Sequence, residues 1–134
     1  MKGFLISGLL LVLGAMACSN NATIVQKAPT QTQEEKNMAS IKQRFLHAYT
    51  RLACMANPGV DPQMNVVPLK RPEDFLKRVK KYDPGQLALA MEVLKKYGFY
   101  TIKDFFDTMH TLKMDHNYWE TVENSFLDGL QDCQ

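Results

Sequence analysis

The feature that most constrains the fold is an apolar stripe along one face of a predicted helix. Between Glu34 and Ala56 the apolar residues recur at alternating intervals of three and four, the spacing of one helix face. They are Met38, Ile41, Phe45, Ala48, Leu52 and Met55. Asn57-Pro58-Gly59 ends the stripe, because proline and glycine are poorly tolerated inside helices. A helix with one apolar face needs partners to cover it.

Four further helices are predicted after a loop that spans Val60 to Arg71. Pro72 and Pro84 stand where the first position of a helix tolerates proline, and Asp83 is the expected N-cap before Pro84. Gly98 is the expected residue just beyond the end of the third helix. The four apolar stripes are Phe75, Leu76, Val79 and Tyr82; Leu87, Ala90, Met91 and Leu94; Ile102, Phe105, Phe106, Met109 and Leu112; and Trp119, Val122, Phe126 and Leu130.

Two patterns predict where the last two helices begin. Thr101 is followed three residues later by Asp104, which is close to a capping box. Asn117 and Glu120 have the same spacing and predict a second capping box, provided that the chain breaks near Asp115-His116. The predicted fold is therefore all-α, a small bundle or orthogonal array of about five helices.

The same helices predict one disulfide, between Cys54 and Cys133. Cys54 lies at the end of the first helix and Cys133 at the end of the fifth. In a simple up-and-down path these two helices point the same way, so both cysteines reach the same pole, as a disulfide requires. On the chain-entropy model, closing a loop of about 80 residues is expected to stabilise the fold by about 4.5 kcal/mol.

The N-terminal 17 residues have the order of a secretory signal peptide. Lys2 is followed by a ten-residue, mostly apolar run from Phe4 to Leu13 and then by the small-residue stretch 14–17. A transmembrane helix needs about 20 apolar residues, and this run is half as long. The chain is therefore predicted to be exported. It is predicted to consist of a signal peptide (1–17), a flexible tether (18–33) and a single helical domain (34–134).

Ala15-Met16-Ala17-Cys18 resembles the end of a bacterial lipoprotein signal. The resemblance covers residues 1–18 only, and Ala15 stands where leucine is usual. It implies that Cys18 becomes the lipidated first residue of the mature chain. Ala15-Met16-Ala17 also matches the A-x-A pattern of ordinary signal peptidase sites, which would give a soluble secreted protein.

The cysteine count bears on this choice. The chain has three cysteines, and in an oxidising compartment an odd number leaves one thiol over. Lipidation of Cys18 leaves an even pair, Cys54 with Cys133.

Charge excludes some classes of partner. The chain has 16 Lys and Arg against 14 Asp and Glu, so removing Lys2 with the signal leaves a net charge of about +1. Such a balance excludes a generally basic nucleic-acid binder, and no nucleic-acid partner is predicted. Basic residues are concentrated in 70–81 and acidic residues in 104–134. The basic run is expected to face solvent; the alternatives are that it contacts anionic lipid headgroups or that it pairs with the acidic half within the fold.

No catalytic or metal-binding motif stands out. Asp107 and His110 share a helix face, with His116 and the thioethers of Met109 and Met114 nearby, but the spacing matches no known metal motif. The chain contains no Gly-x-Ser-x-Gly and no glycine-rich phosphate loop. We therefore predict no cofactor, no metal and no enzymatic activity.

The sequence thus predicts a protein of the bacterial cell envelope, anchored to the membrane through lipid at Cys18. Its helical domain is expected to bind another envelope component, with another envelope protein as the candidate. The alternative is a soluble secreted domain that carries a small apolar ligand or acts on an extracellular target.

Overall fold

The computed structural model describes residues 31–61 and 68–133, and these ranges contain five helices and no strand. The helices are α1 (Gln33–Ala56), α2 (Pro72–Tyr82), α3 (Pro84–Lys96), α4 (Ile102–Lys113) and α5 (His116–Gln131). The predicted all-α fold with a Cys54–Cys133 disulfide is confirmed. The compact helical unit spans Glu34–Gln134. The predicted signal peptide, Cys18 and most of the predicted tether lie outside the described residues.

Most of the helix-start predictions are confirmed. The Asp83 carboxylate accepts a hydrogen bond from the Gln86 N–H at 3.0 Å, directly before Pro84. Thr101 and Asp104 form a complete capping box, in which each side chain accepts a bond from the other residue's backbone N–H at 3.0 Å. Each cap satisfies N–H groups that the first turn of a helix leaves without partners.

The predicted Asn117–Glu120 capping box is wrong, although the break near Asp115-His116 is present. The helix α5 begins at His116, and its N-cap is Asp115, whose carboxylate accepts from the Tyr118 N–H at 3.1 Å. Asn117 is therefore already inside the first turn. Because Asp115 stands two residues earlier and is an equally good cap, the helix starts there.

Gly98 ends α3 as predicted, with a φ of 86°. The Gly98 N–H donates to the carbonyl of Lys95, and the next N–H, that of Phe99, donates to the carbonyl of Leu94. These two bonds make a Schellman motif, which needs a residue in the left-handed region where glycine is favoured. The turn also carries Phe99 into the core, where 4% of its surface is exposed.

The helices α1 and α5 run in the same direction along their shared interface. Successive contacts pair Lys42 with Asp115, Phe45 with Trp119, Tyr49 with Phe126 and Cys54 with Cys133, so residue numbers rise together along both helices. This is the arrangement on which the disulfide prediction depended. The helix α4 runs the opposite way, because Phe105 stacks on Phe45 while Thr111 and Leu112 lie beside Met38 and Ile41.

A glycine lets α1 and α5 approach closely just before the disulfide. A Cβ atom added at Gly129 would lie 2.0 Å from the Cγ2 of Thr50, which is shorter than any real contact. The methyl group of Thr50 therefore occupies the space that a side chain at position 129 would need. One turn further along, the Cα atoms of Cys54 and Cys133 are 5.6 Å apart, within the usual range for a disulfide.

The buried face of α1 differs in part from the predicted stripe. Phe45, Ala48 and Leu52 are fully buried as expected, but so are Tyr49 and Ala53. Neighbours cover the middle of α1 on more than one side, so a second row of side chains is enclosed. At the start of the helix Met38 is 41% exposed, and at the end of α2 Tyr82 is 70% exposed. Both were predicted to lie on apolar faces. Met38 lies beside Thr111 and Leu112 of α4 but is covered only in part, and Tyr82 lies mostly in solvent.

Candidate functional site

A buried asparagine holds the chain in place just before α2. Asn57 is 4% exposed, and among the described residues it is the one buried polar side chain. Its amide group donates to the carbonyl of Lys70 at 2.8 Å and accepts from the Lys70 N–H at 2.8 Å. It also donates to the carbonyl of Ala53 at 3.0 Å. The residue predicted only as a helix breaker therefore fixes where α2 starts.

Replacing this amide with a methyl group is expected to destabilise the fold. In Asn57→Ala the N–H and carbonyl of Lys70, which take part in partly buried hydrogen bonds, lose their partners. Leaving such groups unsatisfied costs about 2–3 kcal/mol in total. Urea unfolding monitored by circular dichroism measures this change. Asn124→Ala, at an exposed position of α5, serves as the control and should stay within about 0.5 kcal/mol of the wild type. An equal effect of the two substitutions would contradict the structural role of Asn57.

Two charged residues at the start of α2 point inward and are paired. Arg71 lies 2.6 Å from a carboxylate oxygen of Glu123 on α5, and its guanidinium lies over the ring of Phe126. Glu73 accepts a hydrogen bond from the Tyr49 hydroxyl at 3.0 Å and lies 3.7 Å from the Lys113 amine. These contacts join α2 to α1, α4 and α5.

The hydroxyl of Tyr49 acts as a donor in this cluster. Burial raises the pKa of Tyr49, and the adjacent Glu73 carboxylate raises it further. The tyrosine is therefore neutral at physiological pH and donates to Glu73. The second carboxylate, that of Glu123, also accepts from the indole N–H of Trp119 at 3.1 Å. Since both carboxylates are occupied by donors of their own fold, the arrangement is that of a structural network.

The remaining charges of this segment form an exposed surface, which we call the basic face. It consists of Lys70, Lys77, Arg78, Lys80 and Lys81, all exposed to solvent. Asp74 is the one exposed acid between Lys70 and Tyr82, and its carboxylate lies 4.0 Å from the Lys77 amine. The face therefore carries a net charge of +4 when Asp74 is counted.

A groove of about 240 Å³ lies within the basic face and is lined by Lys70, Asp74, Phe75 and Arg78. The Arg78 guanidinium lies 5.7 Å from the centre of the Phe75 ring, at cation–π distance. The groove therefore combines two cations with an aromatic wall. It is smaller than the 300–1,000 Å³, roughly, of a site that encloses a drug-sized ligand.

A second groove, of about 230 Å³, lies between α1 and α4. It is lined by Met38, Ile41, Asp107, Thr108, Thr111 and Leu112. The exposed Met38 makes one wall apolar, so this is a concave surface that a protein side chain could fill.

The residues considered for metal binding do not form a site. His110 and His116 are exposed, and the Asp107 carboxylate is paired with Lys103. Met109 is buried in the core, whereas Met114 is 82% exposed. Within residues 31–61 and 68–133, no group of three or more His, Cys, Asp or Glu side chains could hold a metal ion.

The predicted site residues divide into two sets. Cys54 and Cys133 are joined, whereas Cys18 lies outside the described residues, so its lipidation stays a prediction. Sequence reasoning missed the Asn57 clamp and the inward pairing of Arg71 and Glu73. A signal that could have predicted the pairing of Glu73 was Tyr49, which stands one helical turn after Phe45 and whose hydroxyl needs a partner when it is buried.

Comparisons with known proteins add no family to these observations. The chain matches no protein-family model, no curated protein and no solved structure. None of the helices that the structure describes has the length and hydropathy of a bilayer-spanning helix.

Proposed function

We propose that this protein is exported to the bacterial cell envelope, is anchored there by lipid on Cys18, and uses its helical domain as a non-enzymatic interaction module. The observation that carries the proposal is the disulfide between Cys54 and Cys133. Disulfides persist in oxidising compartments and are rare in the cytosol. Cys18 is the third cysteine of the chain and is not part of this disulfide.

The position of Cys18 supports lipid attachment as its role. It directly follows the small residues Ala15 to Ala17, the segment that resembles the end of a lipoprotein signal. An exported protein with one free thiol near its N-terminus would be open to oxidation or to intermolecular pairing. Conversion of the thiol to a thioether removes that reactivity and gives the sulfur a function.

The geometry of the domain supports binding rather than catalysis. The carboxylates at the start of α2 and in α5 are held by Tyr49, Lys113, Arg71 and Trp119. What the described surface offers instead is a basic face and a shallow apolar groove beside Met38. We propose another envelope protein as the partner of that groove.

Mass spectrometry of the N-terminus tests the anchor. Expressed in bacteria with its own signal segment, the mature chain should begin at Cys18 and carry a diacylglyceryl group on sulfur. It should fractionate with membranes, whereas Cys18→Ser should lose the lipid and fractionate as a soluble protein. An unmodified Cys18 at the mature N-terminus would overturn the proposal in favour of a soluble secreted domain.

A further inference from the structure

The structure sorts the charges around α2 into two sets that the sequence presents as one run. Arg71, which is partly exposed, and Glu73, which is largely buried, are paired with Glu123 and Lys113. The basic face, Lys70, Lys77, Arg78, Lys80 and Lys81 with Asp74, is left on the outside. Since the protein's overall charge is only +2, a local charge of +4 makes this face the electropositive side of α2.

We propose that the basic face docks on the surface of an anionic lipid bilayer. This inference rests on the proposed function, because the anchor is what would bring the domain to a membrane. Fourteen residues, 19–32, separate Cys18 from the first residue of α1. A flexible chain of that length spans about 20 Å on average, so an anchored domain stays within reach of the lipid headgroups. Lipid anchors commonly act together with a polybasic patch in this way.

The docking is electrostatic, because α2 has no free apolar face to insert. Phe75, Leu76 and Val79 are at most 2% exposed and pack in the core of the domain. The groove lined by Lys70, Asp74, Phe75 and Arg78 lies within this face, and two of its four lining residues are cations. At the end of α2, Tyr82 is 70% exposed beside Lys81, and tyrosine is favoured at the level of lipid headgroups.

Charges elsewhere on the domain define which side faces the bilayer. The exposed acids Glu120, Asp128 and Asp132 belong to α5 and the residue after it. An anionic surface attracts α2 and repels this part of α5. Docking through the basic face therefore turns α2 toward the bilayer. The apolar groove beside Met38 has separate lining residues and is not part of the docking surface.

Co-sedimentation with lipid vesicles tests the proposal. The protein is the oxidised mature chain with Cys18→Ser, so that binding does not depend on the lipid anchor. We expect binding to vesicles of phosphatidylglycerol and phosphatidylcholine in equal parts at low salt. We expect none to vesicles of pure phosphatidylcholine. Binding should also be lost at about 1 M salt, where charges are screened beyond about 3 Å.

Charge reversal on the basic face should weaken the binding strongly. Each basic residue near an anionic surface changes partitioning by about five-fold, so Lys77→Glu with Lys80→Glu should reduce it at least 25-fold, roughly. The matched control is Lys36→Glu with Arg51→Glu, which makes the same change in net charge at exposed positions of α1. Circular dichroism and thermal unfolding establish that both variants are folded.

Three results would overturn the proposal: no binding to anionic vesicles, equal binding to both vesicle types, or equal losses in the two variants. Equally tight binding to duplex DNA at the same salt concentration would overturn the proposal of a bilayer as the ligand, because the face would then bind polyanions in general. The outcome is separable from that of the anchor experiment. An unlipidated Cys18 with selective vesicle binding removes the anchor and keeps the basic face, whereas a lipidated Cys18 without vesicle binding does the reverse.

Discussion

Removing the Cys54–Cys133 disulfide is expected to lower the free energy of unfolding by about 4.5 kcal/mol, because the unfolded chain regains the freedom that a closed loop of some 80 residues takes away. The bond joins residues 79 positions apart at the ends of two helices that run in the same direction. At about 4–8 °C per kcal/mol, the melting temperature should fall by about 20 °C or more. Cys54→Ala with Cys133→Ala should therefore leave the domain marginally stable.

Chemical unfolding of the double variant and of the wild type, with and without reductant, measures this effect. Reductant should weaken the wild type to the level of the double variant and should leave the double variant unchanged. The control is Cys18→Ser, which lies outside the helical unit Glu34–Gln134 and should keep the wild-type stability. Alkylation of both Cys54 and Cys133 in the folded, unreduced protein would contradict the disulfide itself.

Phe45→Ala is expected to destabilise the domain by about 3–5 kcal/mol, because truncating a buried phenylalanine removes its transfer energy and leaves a cavity. Phe45 is fully buried at the centre of the aromatic core. Its ring centre lies 5.0 Å from that of Phe105, 5.6 Å from that of Tyr49 and 6.1 Å from that of Trp119. The substitution therefore loosens the contacts of α1 with both α4 and α5.

Unfolding in guanidinium chloride, followed by far-ultraviolet circular dichroism, gives the size of this loss. The matched control is Tyr82→Ala, which also removes an aromatic ring, but from a position that is 70% exposed. That change should stay within about 0.5 kcal/mol of the wild type. Similar losses in the two variants would mean that α1 does not hold the core through Phe45.

Helix limits could be predicted because the groups that decide them lie within one turn of each other. Asp83 before Pro84, the Thr101–Asp104 box and Gly98 all act on backbone groups a few residues away. The error at α5 has the same origin. Asp115 and Asn117 are both good caps, and a pattern of spacing does not rank two candidates that stand two residues apart.

Burial was harder to predict than helix position. A one-sided stripe identifies Phe45 and Leu52, but Tyr49 is buried because α5 covers a second side of α1 and brings Phe126 against its ring. The prediction for Met38 is wrong in the opposite sense: it was predicted to be buried but is 41% exposed, because neighbouring residues cover the start of α1 only in part. Periodicity describes one helix, whereas burial depends on how many neighbours that helix has.

The candidate binding surface was also predicted only in part from the sequence. The sequence identifies a basic run between Lys70 and Lys81, but it does not say which charges are neutralised. Arg71 finds Glu123 and Glu73 finds Tyr49, partners 52 and 24 residues away, so the pairing exists only in the folded chain. Because Arg71 and Glu73 are paired within the fold, they are not part of the basic face, which consists of the remaining charged residues.

The all-α class, the order of the five helices and the pairing of Cys54 with Cys133 could all be predicted from the amino-acid sequence. Each of these follows from short-range periodicity, from capping chemistry or from counting cysteines. The packing of the helices was needed to show that Asn57 holds Lys70, that Tyr49 is enclosed, and that Arg71 pairs with Glu123. These features depend on contacts between residues far apart in the chain, and such contacts form only when the helices pack.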